Sequence, residues 1–206
     1  MPTFTGQDIF AIVIAASFAA GLNVYATVAT LGLLSRAHVF TLPPALHVVG
    51  TWPVVVIAGL LFALEFFGDK IPLFDLVWNA LHTFVRVPVA ALLSYGATQQ
   101  LSSTAQIGAT ALAGLIALAS HSGKIAVRAA ITPSPEPFSN IALSAGEDVA
   151  AVSLTWFATK HPVIASAIAL LGVALVILFL RFVARSLRRL FHRARTAIAP
   201  TPQGLT

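Results

Sequence analysis

The stretch "IFAIVIAASFAAGLNVYATVATLGLLSR", Ile9 to Arg36, decides the fold class. It carries no charge before Arg36, and it is longer than the ~20 residues that cross the hydrocarbon core of a bilayer. Gly21, Leu22 and Asn23 interrupt it with a flexible and a polar residue. The expectation is one membrane helix with a break. Asn23 and Tyr25 stand there beside backbone groups that an ion or a substrate can use.

The rest of the chain agrees with that opening. Of 206 residues, 58% are hydrophobic and 9% charged, and the mean hydropathy is +0.90. Soluble domains carry roughly 25% charged residues, so the charges here are too few to coat a water-facing surface. There are no cysteines, which excludes disulfides, thiolate metal sites and cysteine nucleophiles. The first apolar run has no basic residue before it and is long enough to span, so it reads as a retained helix, not a signal peptide.

Working outward, five more segments read as membrane helices, because in lipid each backbone polar group must be bonded within its own segment. They run over about 52–67, 76–97, 107–131, 140–158 and 163–182. The fourth helix is expected to be interrupted at His121, Ser122 and Gly123. Proline-rich "TLPPAL" and "TPSPEPFSN" close the first and fourth helices. The fold class is therefore all-α, a polytopic membrane bundle of about six transmembrane helices.

"LEFFGDKIP" from Leu64 and "LTWFATKHP" from Leu154 share Leu, Phe, Lys and Pro in register, and "AGL" occurs at Ala20 and Ala113. The match points to an inverted 3+3 repeat, about 8–98 and 105–190, within a single transmembrane domain over 1–190. Three helices per copy invert the second copy, as in many transporters. Residues 191–206 are expected to form a basic, then disordered, cytoplasmic tail. Six arginines fall between Arg181 and Arg195. With both termini in the cytoplasm, Lys70, Lys124, Arg128 and these six lie inside, and only Arg36 and Lys160 lie outside. The tail reads as an amphipathic extension on anionic lipid headgroups, with no need of nucleic acid.

The polar residues inside this apolar sequence are the candidate site. Asp75, Asn79, His82 and Arg86 are spaced four, three and four apart, on one helical face. His121, Lys124 and Arg128 repeat that spacing. Glu65 and Asp69 end the second helix, and Glu147 and Asp148 stand inside the fifth. A charge at the centre of a membrane helix costs roughly 2.5–3.5 kcal/mol on insertion scales. Five such groups cost about as much as the ~5–15 kcal/mol net stability of a folded domain. They must pair or line a wet cavity. Buried ion pairs stabilise poorly compared with apolar packing, which favours a functional reading. Glu147 and Asp148 are expected to form a negative pole and Arg86 and Lys124 a positive one. His82 and His121 are the groups expected to titrate near neutral pH. No cofactor motif, metal signature or nucleophile elbow is present.

"GLNVYATVATLGLLSR", "EFFGDKIPLFDLVWNALHTFVRVPVAALLSYGA" and "HSGKIAVRAAITPSPEPFSNIALSAGEDVAA" together resemble the bacterial membrane family called domain of unknown function 4126, over about residues 8 to 160. Val24 stands where that family commonly has proline, and Asn79 where it tends to have aspartate. The resemblance implies a membrane protein and adds weight to Glu136, Asn140, Glu147 and Asp148 as a group. It implies no activity.

These readings lead to a small transporter or channel-like protein of the bacterial inner membrane. It would move a small polar or anionic solute, with proton coupling, through a charged midplane site. Its residues would be Asn23, Glu65, Asp69, Lys70, Asp75, His82, Arg86, His121, Lys124, Arg128, Glu136, Asn140, Glu147 and Asp148, without metal or cofactor. The bilayer is its surroundings, and a homodimer is a candidate assembly. Two alternatives make other demands. An intramembrane enzyme acting on a lipid or isoprenoid phosphate requires a pocket open to lipid. A structural assembly factor requires fully paired charges and no cavity.

Overall fold

The computed structural model describes the backbone of residues 4–69, 72–131 and 137–198, and side chains within 4–69, 77–130 and 141–189. Seven α-helices follow one another: α1 (Gly6–Leu22), α2 (Val24–Arg36), α3 (Trp52–Gly68), α4 (Pro72–Ala97), α5 (Ser103–Ile131), α6 (Pro137–Lys160) and α7 (Pro162–Ile198). A 3₁₀ segment, Pro44–Gly50, leads into α3 at a bend of 59°. By length and composition α5, α6 and α7 are each apolar enough to cross a membrane, and the bent pair ending in α3 makes a fourth.

The opening stretch is not one broken span. A straight helix from Gly6 to Arg36 would be about 45 Å long, and would hold Val13 and Leu31 ~27 Å apart. Instead, Val13 and Leu31 share one packed cluster and line one cavity. The rings of Phe4 and Phe40 lie 6.3 Å apart, edge to face. The chain turns back at Asn23, and α1 and α2 form a helical hairpin. Asn23 serves both arms. Its N–H donates to the Ala19 carbonyl at 2.9 Å and closes α1, while its side-chain oxygen accepts from Ala26 N–H at 2.9 Å and starts α2. One extended residue, with φ −149° and ψ 105°, separates the two helices. Asparagine does this well because its short amide side chain replaces the backbone partner a first turn lacks. At the other end of the hairpin Thr5 and Asp8 form a reciprocal capping box.

The expected interruption of the fourth helix is absent, and α5 runs unbroken through His121, Ser122 and Gly123. Gly123 marks a close helix crossing: a β-carbon there would lie 2.6 Å from a methyl of Val176 on α7. Gly21 plays the same part between α1 and α5, where a β-carbon would meet the Ala117 carbonyl at 2.5 Å. Small residues at such crossings let helices approach closely in lipid. α7 continues as helix to Ile198 through the expected basic extension, and residues 199–206 lie outside the described residues.

α1 is the centre of the bundle. It packs against α4, α5, α6 and α7, and Ala11, Ala15, Ala16, Ala19 and Ala20 are all buried. A helix apolar on every side belongs inside such a bundle. α7 is its opposite, with Val163, Leu171, Leu178 and Phe182 exposed, as a lipid-facing helix requires. Arg36 donates to the Gly50 carbonyl at 3.2 Å and lies 4.0 Å over the Trp52 ring. That end of the molecule also holds the start of α1, the end of α4 and the start of α5. Leu46 packs on Gly96, and Gln106 donates to the Tyr95 carbonyl at 2.8 Å.

A candidate ion site at the hairpin tip

The turn at Asn23 lies against a buried cluster of charges from α3, α4, α5 and α6. Each helix brings its groups by spacing alone: Glu65 and Asp69 one turn apart, His82 and Arg86 one turn apart, and His121, Lys124 and Arg128 at three and four. Counting 1.5 Å per residue, Glu65 sits ~20 Å below the Trp52 end of α3, deep in the bundle.

The connections alternate in sign. Arg86 pairs with Glu65, both fully buried. Lys124 Nζ lies 3.3 Å from carboxylate oxygens of Glu65, Asp69 and Glu147. Arg128 Nη2 reaches Asp69 at 2.8 Å and Glu147 at 2.7 Å. Ser144 donates to Asp69 at 3.4 Å. Buried ions can persist only when paired and hydrogen-bonded in this way. The expected separate poles do not exist: Arg86 and Lys124 are interleaved with the carboxylates they were to oppose.

The helix ends complete the cluster. α1 terminates with carbonyls that have no partner inside the helix. Arg86 donates to the Gly21 carbonyl and Lys124 to the Leu22 carbonyl, each at 3.2 Å, and Ser120 donates to the Phe18 carbonyl at 2.8 Å. Cations thus hold the negative end of α1, where the helix dipole favours them. Beside the start of α2, the Asn23 amide donates to Asp148 Oδ1 at 2.8 Å. The two ends of the hairpin turn sort the charges, cations at the one and a carboxylate at the other.

Both histidines are held by hydrogen bonds at each ring nitrogen. Arg86 Nη1 donates to His121 Nδ1 at 2.7 Å, so the ring proton of His121 lies on Nε2, near Thr83 Oγ1 at 2.9 Å and the Asn79 carbonyl at 3.1 Å. His82 Nδ1 donates to the Trp78 carbonyl at 2.7 Å, and its Nε2 shares a hydrogen bond of 2.8 Å with the Tyr25 hydroxyl. A proton on His121 Nδ1 would displace the bond from Arg86, whereas a proton on His82 Nε2 would only reverse the bond with Tyr25. The two rings thereby position Arg86 and Tyr25.

Asp148 stands apart from the other acids. It is 4% exposed, its one partner is the uncharged Asn23 amide, and its Oδ2 has none. Glu65, Asp69, Glu147 and Asp148 set four carboxylates against the three cations Arg86, Lys124 and Arg128. The described cluster carries one negative charge too many unless a proton or a cation joins it. Among the described residues no three His, Asp or Glu side chains are grouped to hold a metal ion.

Ten residues expected at the site meet in this cluster or on its edge: Asn23, Glu65, Asp69, His82, Arg86, His121, Lys124, Arg128, Glu147 and Asp148. Lys70 and Glu136 lie outside the described residues. Asp75 and Asn140 fall on α4 and α6, but their side chains lie outside the described ones. Sequence reasoning missed Thr83, the link from Ser144 to Asp69, and the backbone carbonyls of Gly21 and Leu22. Thr83 follows His82 directly and breaks the stripe's spacing, so only the neighbouring helix shows its use.

The fold and the site define a helical, membrane-type protein with an ionised interior. Residues 10–182 match the domain of unknown function DUF4126, and the chain belongs to that family. No curated protein and no solved structure matches the chain.

Proposed function

We propose that the protein is a small ion-coupled carrier or channel-like protein of a bacterial inner membrane, with Asp148 taking up and releasing the ion. The observation that carries this reading is the unbalanced charge. Among the described residues three cations face four buried carboxylates, and the carboxylate left over sits at a helix break with one oxygen unpartnered. A lone ionised carboxylate at this depth is costly. A proton or a monovalent cation removes that cost and can leave again. Helix ends meeting at an ion site are the usual plan where ions cross membranes on carriers.

The anionic solute of the sequence reading gives way to a cation or proton, because Arg86, Lys124 and Arg128 already face carboxylates. The same engagement disfavours a phosphate-binding intramembrane enzyme. Unpartnered Asp148 Oδ2 and Glu65 Oε2 disfavour a purely structural lock.

In this reading α3 to α7 cross the membrane and α1–α2 enter as a re-entrant hairpin. Five crossings replace the expected six, which puts the termini on opposite sides, with the arginine-rich end of α7 in the cytoplasm. Of the inverted repeat, the likeness of α3–α4 to α6–α7 remains; α1, a hairpin arm, has no equivalent in the unbroken α5.

Proteoliposomes loaded with a pH-sensitive dye and given a potassium diffusion potential test this. The wild type is expected to acidify them, and Asp148→Asn to slow acidification at least about tenfold. Equal rates would remove Asp148 from the mechanism.

A further inference from the structure

A second site lies at the other end of the hairpin. Between α1, Leu31 of α2, the segment 40–46 and α4 is a cavity of about 420 Å³. That volume falls within the ~300–1,000 Å³ of sites for small organic molecules. At ~30 Å³ per heavy atom, the liquid share of a water, it holds roughly a dozen. Its walls are mostly hydrocarbon and aromatic, among them Ile12, Val13, Phe40, Leu46 and Leu93; Ser17, Thr41, Ser94 and Gln100 are the polar residues, and none of its lining residues is charged. The cavity exists because alanines stand where larger residues would fill it: Ala16 on α1, and Ala90 and Ala97 on α4.

One polar group in the wall lacks a partner. Buried helical hydroxyls elsewhere bond back to the carbonyl four residues earlier: Ser17 to Val13 at 2.6 Å, Thr98 to Ser94 at 2.7 Å, and Thr155 to Ala151 at 2.7 Å. Ser94 lines the cavity, is 1% exposed, and its Oγ makes no hydrogen bond. It is the one buried hydroxyl of this kind among the described residues. An unmade bond at a buried hydroxyl is expensive, and a ligand group can supply it.

We infer that this cavity binds a neutral lipophile of about a dozen heavy atoms with one hydrogen-bonding end, anchored by Ser94. A charged head finds no counter-ion in the wall, and a plain hydrocarbon leaves Ser94 unsatisfied. A two-chain lipid exceeds the volume. The inference is independent of the ion at Asp148.

The test uses the full chain in lipid nanodiscs and a decanol carrying a photoreactive diazirine, with labelled peptides mapped by mass spectrometry. Labelling is expected on α1 near Ile12 and on α4 near Leu93. Competition by 1-decanol should need about fivefold less competitor than undecane, the worth of one neutral hydrogen bond. Ser94→Ala should erase that preference while labelling persists, and Ala16→Leu should abolish labelling. Labelling only on lipid-facing α7, undecane competing as well as decanol, or Ala16→Leu labelling like wild type would each overturn the inference.

Discussion

The tip and the mouth of the α1–α2 hairpin are built on opposite principles. At the tip, around Asn23, ionised side chains from four helices pair with one another while Glu65 Oε2, Arg86 Nε and Asp148 Oδ2 are left without a partner, and Glu65, Asp69, Arg86 and Lys124 are sealed from solvent. At the mouth, between Phe4 and Gln100, the packing leaves a hollow with a single orphaned hydroxyl. The same two helices thus hold a dense ionic node and a loose apolar one, about four turns of helix apart. Charge is tolerated in lipid only where several partners converge, whereas apolar walls can stand open at little cost because lipid is no better a neighbour. The tip should therefore be intolerant of substitution and the mouth permissive.

Lys124→Met is the severest challenge to that contrast. It strips the shared cation from Glu65, Asp69 and Glu147. The expected loss is about 3–5 kcal/mol, the cost of breaking a buried pair from one side, read as collapse of the thermal transition in detergent. A near-native transition would mean the node is not what holds the helices together. Gly21→Ala comes next. Its new methyl meets the Ala117 carbonyl and Ser120 Cβ on α5, and about 1–3 kcal/mol should be lost to overpacking. Ala16→Leu adds far more volume at the mouth, yet it should cost less than Gly21→Ala and can gain up to ~1 kcal/mol by filling a hollow. Asp148→Asn should leave stability within about 1 kcal/mol of the wild type or raise it, because it removes an uncompensated charge. A loss beyond that would show that Asp148 is ionised and paired. Arg36→Ala is the mildest, at ~0.5–1 kcal/mol for its stacking on Trp52.

Much of the tip was readable before any coordinates. Stripes such as His82–Arg86 and Lys124–Arg128 have to face inward, and opposite signs have to find one another, because lipid offers no alternative. The direction of the chain at Asn23 was not readable. Gly-Leu-Asn specifies a helix end and a helix start, and the same three residues serve a kinked span or a reversal. What decides between them is the contact of Phe4 with Phe40 and the gathering of Val13 and Leu31 into one cluster, which no local pattern encodes. His121-Ser122-Gly123 misled for the converse reason: the His121 ring is satisfied by α4, and the glycine makes room for α7. The cavity left no trace in the sequence, since Ala16, Ala90 and Ala97 look like any small residues at helix crossings.

The central place of α1 has a consequence for biosynthesis. Ribosomes deliver α1 before its partners: the groups that hold its far end, Arg86 and Lys124, arrive later on α4 and α5, and α7, another of its walls, later still. Until then the hairpin has no cations to hold its loose carbonyls and too little length to cross a bilayer by itself. A segment made ahead of all its partners thus has to wait for them before it can settle, and a chain stalled before α5 would leave its own core waiting at the membrane surface.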